Sequence, residues 1–201
     1  MLRATLLTGA AWVLAACTNT AAQVGRPVVP KAPTATAAAT LVDPSGQAGG
    51  RALLTATGNG IEVRVNVQGL TPGPHGIHLH AIGRCVTGPD PSGREVSFGG
   101  AGGHFDPGGS QHHGQPGQVP QRGHAGDMPN VMVAADGTGE LRFVHPHLTL
   151  GTDAATALGR AIVVHEKADD YRSQPAGDSG GRVLCGVIEA ARPTEPKSNQ
   201  G

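Results

Sequence analysis

Ile61-Glu62-Val63-Arg64-Val65-Asn66-Val67 alternates aliphatic and polar side chains without a break. A β-strand sends successive side chains to opposite faces, so this period of two, with β-branched residues on one side, marks a half-buried strand. Gly58-Asn59-Gly60 precedes it as turn sequence, and Ala48 to Thr57 before the turn forms the other arm of a hairpin. Asn130 to Ala134 and Gly139 to Val144 repeat the arrangement around Asp136-Gly137. Ala38 to Val42, the stretch around residues 75–80, Arg160 to His165 and Arg182 to Glu189 complete the set. About eight strands separated by turns specify an all-β fold, an antiparallel sandwich or barrel. Helix has little foothold beyond a turn over Asp153 to Leu158.

Composition agrees. The chain has 201 residues, enough for one domain with a core, and 32 glycines and 16 prolines that suit short strands joined by turns. Lys plus Arg and Asp plus Glu each total 15, and aromatics make up 2%, so neither a basic surface nor stacking platforms argue for nucleic-acid binding.

The chemistry sits in the histidines. In His75-Gly76-Ile77-His78-Leu79-His80, residues 78 and 80 leave a strand on the same face, roughly 7 Å apart at Cα, while Ile77 and Leu79 face the other way. Such a sheet packs with one side and binds with the other. His165 closes the apolar run Ala161 to Val164. His104, the pair His112/His113, His124 and Asp127 fall within Gly83 to Met128, a long stretch with no sustained periodicity that metal ligation could pin. Four nitrogens favour copper(II), and three nitrogens with one carboxylate favour closed, structural zinc. Spacing alone does not say which ligands go together.

The N-terminus reads as targeting sequence and stands apart from the fold. Arg3 precedes the apolar run Ala4 to Val13, and Leu14-Ala15-Ala16-Cys17 resembles a bacterial lipobox, whose cysteine becomes the lipidated first residue. The expected organisation is a lipoprotein signal peptide over 1–16, an Ala/Pro/Thr-rich tether over 17–37, a domain over 38–190 and a disordered tail over 191–201. This places the protein outside the cytoplasm, in the cell envelope, held to a membrane by lipid. If Cys17 is lipidated, Cys85 and Cys185 remain as a pair, and an oxidising compartment favours a disulfide between them over two buried thiols.

Five stretches then resemble the copper,zinc superoxide dismutase family, in the family's order. They are Gly73 to His80, Gly102-Gly103-His104-Phe105-Asp106-Pro107, His124-Ala125-Gly126-Asp127, Gly159 to Asp170, and Gly180 to Ile188. The resemblance implies an eight-stranded Greek-key barrel, immunoglobulin-like in its sandwich, with the metals outside it under long loops. It implies a copper ion on His78, His80, His104 and His165, and a zinc ion on His104, His113, His124 and Asp127, with His104 as the bridge. Eight residues on from His104 is His112, whereas the following Gly-Gln-Pro selects His113, the preferred reading. Asp169 matches the carboxylate that links His78 to His113, Arg182 the arginine at the channel mouth, and Cys85–Cys185 the family disulfide. Superoxide is the implied substrate. A metal carrier on the same scaffold would need no guiding cation, so Arg182 argues for the enzyme. A homodimer is the family's familiar assembly, but the short segments Gly83-Arg84-Cys85 and Tyr171 to Gly181 follow bacterial members, so the animal and plant contact does not carry over. His75 reads as structural, and His145 and His147 as an exposed strand end.

Overall fold

The computed structural model describes residues 35–90 and 92–191. The signal-peptide and lipidation readings, Cys17 included, lie outside the described residues, as do the tether up to residue 34 and the tail over 192–201. The described residues form twelve strands: β1 (Thr36–Val42), β2 (Ala48–Thr57), β3 (Gly60–Val67), β4 (Gly73–His75), β5 (Ile77–His80), β6 (Gly88–Pro89), β7 (Glu95–Val96), β8 (Val131–Val133), β9 (Gly139–His145), β10 (Ala161–His165), β11 (Arg182–Val187) and β12 (Glu189–Ala190). The expected hairpins are present, β2–β3 around Gly58-Asn59 and β8–β9 around Asp136-Gly137.

The main sheet runs β4-β8-β9-β3-β2-β1-β11-β10-β5, with β12 beside β1. Its two ends, β4 and β5, are separated in the chain by Gly76 alone. One stretch of chain thus pairs antiparallel with β8 through its first half and with β10 through its second. The sheet closes on itself, which removes exposed edges. With β4 and β5 counted as one, the barrel has eight strands, and β3 lies beside β9 and not β4, a Greek-key connection.

In β3, Ile61, Val63, Val65 and Val67 are buried while Arg64 and Asn66 are exposed, as the alternation requires. They join Leu41, Leu54, Ile77, Leu79, Ile162 and Leu184 in the barrel core. Ala37 and Ala39 also point inward, so β1 begins at Thr36, two residues inside the stretch read as tether. Small side chains hide this strand in a low-complexity sequence. β10 does not alternate because both its faces are covered. Ile162 and Val164 enter the core, and Ala161 and Val163 pack outside with Phe98, Ala101 and Cys185.

That outer layer belongs to the long Gly83–Met128 segment, which is more ordered than its sequence suggests. It holds the small β6–β7 hairpin and a 3-10 turn over Gly99–Ala101. The Cys85–Cys185 disulfide fastens it to β11 across a separation of 100 residues. Closing so long a loop stabilises the fold by up to roughly 4–5 kcal/mol on the chain-entropy view. The segment also lies along β5, where Leu79 N–H donates to Gly126 O at 2.9 Å and Phe105 N–H donates to Leu79 O at 2.8 Å. A Cβ at Gly126 would stand 2.2 Å from the Leu79 carbonyl, so only glycine permits this approach. Isolated bridges set His104 beside His80 and Asp127 beside His78. Two of the loop's ligand candidates are therefore positioned by backbone pairing to the strand that carries His78 and His80.

One reading is corrected. His145 is fully buried, not exposed. It shares the inward face of β9 with Leu141 and Phe143, and this register outweighs its polarity.

Candidate metal centre

Four imidazoles converge on the outer face of the barrel. β5 supplies His78 and His80, with ring centroids 6.4 Å apart. His165 ends β10 at a bulge, where the register shifts from Val164↔Leu184 to His165↔Arg182 and brings the ligand candidate opposite the arginine. His104 stacks on His78 at 3.9 Å. One nitrogen from each of these rings lies within 4.8 Å of one from every other.

The rings are oriented for ligation. His78 Nε2 donates to Asp169 Oδ2 at 2.8 Å, and His80 Nδ1 donates to the Gly102 carbonyl at 2.8 Å. His104 Nδ1 lies 2.9 Å from Asp127 Oδ1, and His165 Nδ1 faces the Gly180 carbonyl at 3.4 Å. The opposite nitrogen of each ring, Nδ1 of His78 and Nε2 of the other three, is buried with no hydrogen-bond partner. An orphaned buried polar atom costs about 1–3 kcal/mol, and four together in one place fit a cation. Burial first, then the neighbouring His104 ring, holds His78 and His80 well below the ordinary imidazole value and pushes His165 down to about 3. His104 is lowered too, by burial, with Asp127 opposing. Neutral rings keep a lone pair for a metal.

The second group is built around Asp127, which is fully buried. Its Oδ1 faces Nδ1 of His104 at 2.9 Å, of His113 at 3.0 Å and of His124 at 3.5 Å, and its Oδ2 accepts from Gly114 N–H at 2.9 Å. Burial would raise the carboxyl, but these ring contacts outweigh it and hold Asp127 far below the usual carboxylate range. Against burial, the bonds to Asp127 and Asp169 raise His113 to about 9. His112 is exposed and turns away. By distance alone, the tight set around Asp127 contains His78, His104 and His113, with His78 where His124 was expected. His78 has only Nδ1 free, because Nε2 is committed to Asp169, so it serves one group. His124 Nδ1 is buried, makes no hydrogen bond and lies 3.5 Å from Asp127 Oδ1, which makes it the better fourth member.

Asp169 spans the two groups, accepting from His78 Nε2 through Oδ2 and from His113 Nε2 through Oδ1, both at 2.8 Å. Tyr171 N–H donates to the same Oδ1 at 2.6 Å. The Asn130 side chain, which the sequence did not single out, makes a reciprocal pair with the Asp169 backbone at 2.8 and 2.9 Å. His75 holds the frame from below, its ring 2.7 Å from the His165 carbonyl.

A cavity of about 710 Å³ opens over the histidines, walled by His80, His104, His165, Arg182, Asp90 and Arg94. Arg182 Nη1 donates to Phe98 O and Nη2 to Gly102 O, each at 2.8 Å. Gly102 O thus accepts from both His80 and Arg182, which ties the guanidinium to the four-ring set. Lys167 is exposed and does not line this cavity; Arg94, paired with Asp90 at 3.3 Å, does.

A Greek-key barrel carrying a four-imidazole set, with one ring also facing a carboxylate-centred set, has the donor groups of a two-metal protein. Residues 48–188 match the copper/zinc superoxide dismutase family model. The chain is 43% identical over 177 residues to a Cu-Zn superoxide dismutase of Deinococcus radiodurans, covering 88% of this chain and 90% of that one. It is 34% identical to the Caulobacter vibrioides enzyme, covering 72% and 80%. Among solved structures, the Cu/Zn superoxide dismutase of Brucella abortus superposes with a TM-score of 0.67 at 34% identity, over 77% of this chain and 99% of that one. A SOD-like protein from Bacillus subtilis superposes with a TM-score of 0.64 at 34% identity, over 74% and 95%. The chain belongs to the copper/zinc superoxide dismutase family. Its cofactors are copper and zinc.

Proposed function

We propose that the protein dismutates superoxide to oxygen and hydrogen peroxide with copper on His78, His80, His104 and His165 and zinc on His104, His113, His124 and Asp127. The observation that carries this assignment is the convergence of four neutral rings, each with one buried nitrogen lacking a partner. When bound at these residues, copper would supply one-electron redox chemistry and zinc a fixed charge without redox change.

The remaining work falls to the chain. Arg182, fixed by two carbonyls in the cavity wall, attracts the small anion and holds it beside the four rings. His104 is the ring suited to serve both metals, because its Nε2 belongs to the four-imidazole side and its Nδ1 faces Asp127. Deprotonated, this ring would offer one lone pair to each metal. We assign His104 Nε2 to hold a proton between the two half-reactions and pass it to the product. Two superoxide anions and two protons then give one oxygen and one peroxide. Asp169 keeps the rings of His78 and His113 aimed while this happens.

The working location is the cell envelope, on a lipid anchor at Cys17. Support comes from the lipobox-like Leu14-Ala15-Ala16-Cys17 and from the Cys85–Cys185 disulfide, a bond that persists in oxidising compartments. The metal assignment is tested by His80→Val and His165→Val. Each is expected to abolish copper binding and dismutation while keeping zinc near one per chain. Equal loss of both metals, or activity without copper, would contradict it.

A further inference from the structure

We infer that Gln174 is a positioning residue that couples the wall of the substrate channel to the zinc ligand His113; this rests on the zinc reading above. The backbone N–H of His113 donates to Gln174 Oε1 at 2.8 Å, and Gln174 Nε2 donates back to the His113 carbonyl at 2.9 Å. A primary amide is an uncharged side chain with a donor and an acceptor placed for both ends of one residue's backbone. The ring of His113 is engaged as well, through Nδ1 to Asp127 and Nε2 to Asp169. All four polar atoms of this residue are therefore satisfied, two toward the metal group and two toward Gln174.

Gln174 belongs to the segment that walls the cavity, together with Pro175, Ala176 and Gly180. That segment folds back on itself, with Gly177 N–H donating to Ser173 O at 2.7 Å and Asp170 N–H donating to Gly177 O at 3.0 Å. Gly177, at φ +68°, lies directly on the Asp169–His113 hydrogen bond, since a Cβ there would stand 1.8 Å from Asp169 Oδ1 and 2.7 Å from His113 Nε2. The wall segment thus meets His113 twice, at the ring where Gly177 packs on the Asp169–His113 hydrogen bond and at the backbone through Gln174. His113 cannot relax without moving the wall, and the wall cannot swing without pulling on His113. Such a coupling is reciprocal: what steadies one end steadies the other. Gln174 contributes no ligand atom and holds only the backbone of His113, so its effect runs through that residue.

The test uses the copper- and zinc-loaded protein and two variants. Gln174→Met keeps the length and removes both hydrogen bonds; Gln174→Glu keeps the acceptor for the His113 N–H and loses the donor. Zinc release to a colorimetric chelator is followed beside tryptic cleavage after Arg172, an exposed site two residues before Gln174. Loss of two hydrogen bonds is expected to speed zinc release about tenfold in Gln174→Met, with Gln174→Glu between it and wild type. Cleavage after Arg172 should quicken in the same order, with copper content unchanged. Zinc release in Gln174→Met equal to wild type would overturn the inference, and faster cleavage without faster release would confine Gln174 to loop structure and overturn the coupling. A wild type that binds no zinc would instead overturn the zinc reading on which it stands.

Discussion

Among the described residues, six buried side-chain nitrogens lack a partner; five belong to rings around the metal centre, and the sixth is His145 Nε2. His145 sits edge-on to Phe143 at 5.8 Å, and its Nδ1 accepts from the His147 N–H at 3.2 Å. Burial, then the charge of His147, pushes its pKa down to about 4. The folded protein therefore keeps this ring neutral over a range where the unfolded chain protonates it. Stability should fall as pH drops from the ordinary imidazole value of about 6.5 toward 4 and gain no further loss from this group below that. His145→Leu should remove up to about 3 kcal/mol of that acid sensitivity, measured by denaturant unfolding at pH 7 and 4.5. An unchanged difference between the two pH values would contradict the assignment. Arg182→Glu addresses the other end of the site. It should lower the dismutation rate constant roughly tenfold or more with both metals retained, because Arg182 binds neither. Wild type should slow as salt rises, since an exposed field is screened over about 8–10 Å at moderate ionic strength, and the variant should slow less or speed up. Identical rates and salt responses would remove the steering role. His78 and His80 were legible because a strand forces them onto one face. His145 was misjudged because Pro146 suggested an exposed end, although its alternation with Leu141 and Phe143 pointed inward.

At the scale of elements, the strands could be read from alternation, and β10 shows where that signal stops. Its unbroken Ala161–Val164 run has meaning only once the loop residues Phe98 and Ala101, with the neighbouring Cys185 of β11, cover its second face. The Gly83–Met128 segment had no periodicity to read, since it is shaped by a disulfide, by backbone bonds to β5 and by ligands that meet only in three dimensions. The choice of His113 over His112 came from a local pattern; the contributions of Gln174, Asn130 and the Gly102 carbonyl left no sequence signal because their partners are remote. Asp127→Ala removes the carboxylate on which three rings converge. It should cost zinc affinity more than the ~10–100-fold typical of losing an outer partner, and it should loosen the loop. Limited proteolysis within residues 83–128 should accelerate, with copper still bound. Cleavage at the wild-type rate would show that the disulfide and β5 pairing hold the loop without zinc.

For the whole molecule, hairpins and strand number gave the class of fold, but closure depended on β4 and β5 being two halves of one stretch around Gly76, a fact of register. The same stretch carries His75, His78 and His80, so the closing strand and the metal centre are one piece of chain. Position in the cell is a separate property. Cys17 lies well before β1, so Cys17→Ser should release the protein from membranes without lowering dismutation by the metallated domain. Fractionation paired with activity staining checks this, and a metal-loaded, exported variant without activity would contradict a simple tether. The most direct measurement of the central claim is metal analysis together with a superoxide dismutation assay on the disulfide-bonded protein. One copper and one zinc per chain, with fast dismutation that disappears when copper alone is withdrawn, is the expected result. Reversible copper binding by the four-histidine site without dismutation of superoxide would contradict it.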